Sequence, residues 1–295
     1  MREFMRGLID DAGTFPPEEL PLEAAVDRHI AARLEAEAWI LGRFVAGSTN
    51  VGRLAALSPF AWPVTVVIDH PLVHDGFAAA RSAAESGRVL VESVEIPLAR
   101  GKGASVASRL SDLATQLTGA GLGGLELFVE APIGSLDGID ETAAEFAAAG
   151  REHGIALFAK VRCGGAAVPA PDALAAFIAV MSARRVPFKA TAGLHHPVAR
   201  VRAEGFSHGY LNVAGASVLA ASGTIGRAEI SEMLADTRTA NFALDAATFR
   251  WKSFAAGAPS IAAAREQCFR SFGSCSLDEP IGDLAAMGFL ERAVS

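Results

Sequence analysis

The sequence predicts an α/β fold, a single (β/α)8 barrel of TIM type spanning residues 1–295 as one domain. Short runs rich in Val, Ile, Leu and Phe alternate with longer Ala-rich stretches of helical period. Almost every apolar run finishes on a polar or ionisable residue, as barrel strands do where their loops gather into one mouth. No GxGxxG follows the first run and no GxxxxGK[ST] occurs, so an open doubly wound sheet lacks its usual phosphate turn.

In chain order, residues 8–21, with Ile9-Asp10-Asp11-Ala12-Gly13-Thr14, read as a loop-like N-terminal segment. Residues 23–41 carry a helical period and precede the first expected strand. Strands are predicted at 43–47, 64–69, 89–96, 125–131, 156–162, 187–192, 209–214 and 270–274, the last by its place in the rhythm. Between them, residues 101–120 place Val106, Leu110, Leu113 and Leu117 at three- and four-residue spacing, one apolar helical face. Residues 140–153 open on acids and stop before Gly154, as a helix does. Residues 171–183 and 216–222 have the same character. Residues 241–254 hold two β-rich runs around Asp245-Ala246-Ala247, predicting a small hairpin insertion before the last helix. Asp278-Glu279-Pro280 reads as a cap leading into a helix at 281–287.

Composition narrows the function. At 51% hydrophobic and 20% charged the chain can bury a large core. A formal charge of -7 with no Lys/Arg stripe argues against nucleic acid as a partner. Cys163, Cys268 and Cys275 have no CxxC spacing, which disfavours a disulfide framework or a structural zinc site and suits a reducing cytoplasm. No apolar run approaches the ~20 residues that cross a bilayer, and Met1-Arg2-Glu3-Phe4 lacks a signal-peptide core. The expectation is a cytoplasmic protein without a membrane or cofactor requirement. Homo-oligomerisation is left open.

The chemistry points to two lysines. Lys160 ends one apolar run, followed by Arg162 and Cys163-Gly164-Gly165, and Lys189 sits in the next, with Thr191 and Gly193 on its face by the period of two. An ammonium at a buried strand end is costly unless paired or lowered in pKa, and a lowered lysine is the reagent of imine chemistry. Lys160 and Arg162 suit an anionic group, Arg by a bidentate grip and Lys as a point charge. Glu95 and Glu130 each stand near a Pro that closes the strand, so both are expected at the rim as proton carriers or as partners of the lysines. His195, in the adjacent pair His195-His196, is a further proton carrier. Asn212 and Ser274 complete the strand ends, with small residues around Gly273 leaving room for a ligand. Asp10-Asp11 is a remaining acidic pair.

Phe188-Lys189-Ala190-Thr191-Ala192-Gly193 resembles the strand-six lysine motif of class I aldolases of the deoxyribose-phosphate type. Lys160-Val161-Arg162-Cys163-Gly164-Gly165 is similar to the lysine and Gly-Gly motif of the same enzymes. The whole chain also resembles a group of bacterial proteins marked by the pattern of residues 189–197, Lys-Ala-Thr-Ala-Gly-Leu-His-His-Pro. The aldolase resemblance covers some sixteen residues and implies a (β/α)8 fold, a Schiff-base lysine at Lys189 and a pKa-lowering neighbour at Lys160. In that family the Schiff-base lysine comes first in sequence, whereas here Lys160 precedes Lys189.

The leading expectation is an enzyme acting on a small anionic carbonyl compound, an aldolase-type lyase. In it Lys189 is nucleophile or oxyanion stabiliser, Lys160, Glu130 and His195 are catalytic neighbours, and Arg162, Glu95, Thr191, Asn212 and Ser274 bind substrate. One alternative is a metal-dependent hydrolase or isomerase with His70, His195 and Asp69 as ligands, although no HxH or HExxH spacing supports it. Another is a ligand-binding barrel without turnover.

Overall fold

The structure is a computed structural model describing residues 2–130, 138–165, 168–203 and 205–290. Eight parallel strands close on themselves: β1 (Ile9–Asp11), β2 (Leu41–Gly47), β3 (Pro63–Val67), β4 (Leu90–Pro97), β5 (Glu126–Glu130), β6 (Ala156–Arg162), β7 (Phe188–Thr191) and, far along the chain, β13 (Phe269–Ser274). The order around the barrel is β1-β13-β7-β6-β5-β4-β3-β2, so neighbours in sequence are neighbours in space except at the seam where β1 meets the last strand. Strands buried on both faces read as near-continuous apolar runs, which is why Leu127, Phe128 and Val129, or Val64, Thr65 and Val66, are all sealed from solvent.

The outer ring is helical. The helix Val106–Gly119 begins on a capping box in which Ser105 and Ser108 exchange bonds, and it buries Leu110, Leu113 and Leu117 against the sheet. Complete burial of each such leucine contributes about 1.5–3 kcal/mol. The helix Ile139–His153 ends on Gly154 at φ 63, the left-handed terminus glycine adopts without strain. Further helices at Leu22–Leu34, Val73–Glu85, Pro171–Arg184 and Ala258–Gln267 complete most of the ring. The first of these stops short of residue 41, because Leu41 already opens β2. No described helix is long and apolar enough to cross a membrane.

Three sequence expectations change. Residues 9–11 are a barrel strand rather than loop: β1 pairs with β2 on one side and with β13 on the other. Residues 209–214 are not a strand. They open the helix Tyr210–Ala221, whose first ten residues are all buried, so no polar face betrayed its period. The expected hairpin is a three-stranded antiparallel sheet, β10 (Phe242–Leu244), β11 (Thr248–Trp251) and β12 (Phe254–Gly257), placed before the helix that leads into β13. A short antiparallel ribbon, β8 (Arg200–Arg202) with β9 (Gly205–Ser207), follows β7. Ala131, the last residue of the strand expected at 125–131, lies outside the described residues.

Candidate active site

Register places the two lysines side by side. Lys160 of β6 is the Cα partner of Lys189 on β7 and of Glu130 on β5. Both lysines therefore point into the barrel, where Glu95 of β4 and Asp10 of β1 also point. Lys189 Nζ lies 2.6 Å from Asp10 Oδ2 and 2.6 Å from Glu95 Oε1. Glu95 turns its other oxygen, Oε2, to Lys160 Nζ at 2.9 Å. Lys160 stands 3.2 Å from Glu130 Oε2, and Glu130 Oε1 accepts from Arg162 Nε at 2.9 Å. Three carboxylates and three cations thus alternate across the barrel from Asp10 to Arg162, with Glu95 as the bridge between the lysines.

The far end is anchored. Asp10 Oδ2 also accepts from Ser271 Oγ at 2.7 Å, and Oδ1 accepts from the Arg43 amide at 2.9 Å. An irregularity of β13 between Phe269 and Phe272 lets Ser271 reach Asp10 while Arg270 reaches Glu126 at 2.5 Å. Asp11, next in the strand, faces away and binds His29 at 2.9 Å and Arg28 at 2.7 Å. Alternation along β1 therefore gives one aspartate to the barrel and one to the helix outside it.

Burial separates the lysines. Lys189 is fully buried, its ammonium 5.4 Å from the centre of the Phe128 ring, whereas Lys160 keeps 8% of its surface. Burial pulls the Lys189 ammonium towards the neutral form, but Asp10 and then Glu95 outweigh it and hold its pKa above the ordinary lysine value. Burial likewise pushes the Glu95 carboxyl up, and Lys160 and Lys189 overcome this and bring it to about 2. At neutral pH Lys189 is an ion-paired ammonium and Glu95 a carboxylate. Glu95 is 2% exposed, so it sits inside the barrel and not at the rim expected of it, while Glu130 is nearer the surface. Among the described residues Glu130 Oε2 accepts no hydrogen bond, although Lys160 is 3.2 Å away.

Above the ionic chain opens a cavity of about 550 Å³ with a polar floor of Glu95, Lys160 and Lys189 and an apolar wall that includes Phe15, Pro16, Val45, Val67 and Leu194. Its rim is shaped by the loops after β6 and β7. Gly164 and Gly193 touch backbone to backbone: a Cβ on Gly164 would lie 2.6 Å from the Gly193 Cα. Ala192 and Gly193 both take left-handed conformations, φ 63 and 72, turning the chain sharply after Thr191. Thr191, His195 and Ser274 line the cavity. His195 Nδ1 is 3.2 Å from Glu279 and His196 Nδ1 2.8 Å from Asp283, so both rings are tied to the helix Asp278–Ala286. Ser274 Oγ donates to the Ser276 carbonyl at 2.5 Å.

Other expected residues lie apart. Asn212 is in the helix Tyr210–Ala221, where its amide donates to the Met233 and Asp236 carbonyls and its oxygen accepts from the Ala199 amide, an internal brace far from any strand end. Asp69 accepts from Ser48 Oγ at 2.8 Å and from the Thr49 amide at 3.1 Å, fastening the turn after β2. His70 is held by the Leu72 backbone. His70, His195 and Asp69 do not converge, and no three His, Cys, Asp or Glu side chains among the described residues are grouped to hold a metal ion. Cys275 lines the cavity with a thiol that burial pushes up in pKa. Asp10 is the site residue that sequence reasoning underused. Its signal was present, since Leu8-Ile9-Asp10-Asp11 is an apolar pair ending on acids, the pattern of the other strand ends.

No protein-family model and no curated protein matches the chain. Among solved structures it is similar to a deoxyribose phosphate aldolase from Aeropyrum pernix, described as having a unique tetrameric structure. That similarity amounts to 14% identity and a TM-score of 0.45 over 79% of this chain and 90% of that one.

Proposed function

We propose that the chain is an enzyme that forms an imine between Lys160 and a small aldehyde or ketone, a lyase or a related carbon–carbon bond-handling activity. The observation that carries this reading is the division of labour between the lysines. Both lysines line the cavity, but Lys160 keeps 8% of its surface, whereas Lys189 keeps none and is held between Asp10 and Glu95. The nucleophile is therefore assigned to Lys160, and Lys189 becomes the fixed cation that keeps Glu95 ionised. This reverses the roles that the aldolase-like motifs imply for the two positions.

In this scheme Glu130 Oε2, 3.2 Å from Lys160 Nζ and without a hydrogen bond among the described residues, takes the proton that Lys160 sheds. The free amine adds to the carbonyl carbon, forming the C–N bond, and the carbonyl oxygen leaves as water as the imine forms. The imine then draws electrons from the neighbouring carbon, easing cleavage or formation of the adjacent C–C bond. The apolar wall limits water, and Arg162, the most exposed cation of the chain of charges at 57% side-chain exposure, is placed to hold an anionic end of the substrate.

Borohydride reduction in the presence of a panel of short hydroxyaldehydes, ketones and keto acids tests the assignment. A stable mass increment on the peptide carrying Lys160 is expected, retained in Lys189→Arg and lost in Lys160→Arg. An increment on Lys189, or none with any member of the panel, rejects it.

A further inference from the structure

The opposite pole of the barrel holds a second cavity, about 610 Å³, whose lining includes five arginines: Arg6, Arg33, Arg43, Arg265 and Arg270. Two are engaged with acids. Arg43 pairs with Glu92 and Glu126 at 2.8 Å each, and Arg270 pairs with Glu126 at 2.5 Å. Arg33 and Arg265 are not. Arg33 donates to His29 at 3.2 Å and to the Gly42 carbonyl. Arg265 donates to the carbonyls of Phe4, Arg6, Phe269 and Arg270. Neither meets a carboxylate among the described residues, and both are partly buried.

Two half-buried guanidiniums without counter-charge are an electrostatic deficit. Burial, reinforced by the nearby charge of Arg270, lowers Arg265 to about 10, and burial lowers Arg33 despite Asp11, Asp10 and Glu92. The acids facing the cavity do not fill the gap. Asp10 is committed to Lys189 and Ser271, Glu92 to Arg43, and Glu3 and Glu266 are exposed at the rim. An anion at depth would meet the Arg33 Nη1 group, which makes no hydrogen bond among the described residues, and the charge of Arg265, whose N–H groups are largely given to carbonyls.

We propose that this N-terminal pole is a binding site for a phosphorylated small molecule, its phosphate held by Arg33, with Arg265 contributing positive charge and Arg6 at the entrance. A phosphate monoester carries about -1.5 to -2 charges near neutral pH, matching the two unpaired guanidiniums, where a single carboxylate matches one. The cavity volume leaves room for an organic part beyond the phosphate. The inference does not depend on imine chemistry at the mouth. It does connect to it, because Asp10 both lines this cavity and binds Lys189.

Calorimetric titration of the full chain with glycerol 3-phosphate, and with glycerol as the uncharged control, is the test. Saturable binding of the phosphate and none of glycerol is expected. Arg33→Gln should weaken it at least tenfold. Arg6→Glu, at an exposed position that makes no ion pair among the described residues, should weaken it severalfold while the ligand-free melting temperature stays unchanged. Should Arg33→Gln fail to fold, Arg6→Glu decides. Absence of saturable binding at millimolar ligand overturns the proposal. So does binding that survives both changes but is lost in Arg162→Gln, since the phosphate would then sit in the mouth.

Discussion

At the residue scale, Glu95 organises the site. One carboxylate serves two ammonium groups, one per oxygen, and is 2% exposed. Removing either partner of such a buried pair leaves a charge without compensation, which is why the lysines could not be understood singly. The consequence for pH is definite. With its carboxyl held near 2 against an ordinary 4.5, Glu95 contributes stability that is fully present above about pH 4.5 and lost as pH falls towards 2. The difference corresponds to something on the order of 3 kcal/mol. Denaturant unfolding followed between pH 5 and 2 should show this loss. In Glu95→Gln the chain should start less stable at pH 5 and decline more shallowly; parallel curves for the two proteins would refute the assignment. Lys160, Lys189, Glu95, Glu130 and Arg162 were legible from sequence because each ends an apolar run. Asp10 was visible but unplaced, since only the barrel seam brings residue 10 to residue 189. Asn212 misled for a related reason, as its polar side chain interrupts an apolar helix that imitates a buried strand.

At the element scale, the loops after β6 and β7 depend on one backbone contact, Gly164 against Gly193. Gly193→Ala must place a Cβ 2.8 Å from the Gly164 Cα while holding φ 72. Either effect alone costs about 1–3 kcal/mol. A drop of that size in unfolding free energy is expected, together with weaker carbonyl trapping, because Thr191 and His195 flank the turn. A substitution without effect on stability would mean the two loops do not meet as described. Strands β2 to β7 fell within two residues of their predicted positions because short runs rich in branched or aromatic residues between turn formers are hard to mistake, and β13 did so by its place in the rhythm. A strand of three residues, Ile9–Asp11, is too short to display a period. The helix Tyr210–Ala221 is apolar on every side and so displays none either.

At the scale of the whole molecule, closure depends on β1. This shortest barrel strand receives a hydrogen bond from the Phe272 amide to the Leu8 carbonyl at 2.9 Å and returns one from Ala12 to Ser274 at 2.7 Å. Without it, β2 and β13 become open edges and Lys189 loses one of its two carboxylates. Deletion of residues 2–12 should therefore abolish the single cooperative unfolding transition and expose apolar surface to a fluorescent dye. A truncated chain that still melts cooperatively near the temperature of the intact one would show that the seam is dispensable.

The bond from Ser271 to Asp10 spans 261 residues, and that from Lys189 to Asp10 spans 179. During synthesis Asp10 leaves the ribosome early and must wait, unpaired, for most of the polypeptide to follow. The Lys189–Asp10 pair therefore forms only after β7 has been made, and Asp10 gains its bond from Ser271 only once the last strand closes the ring.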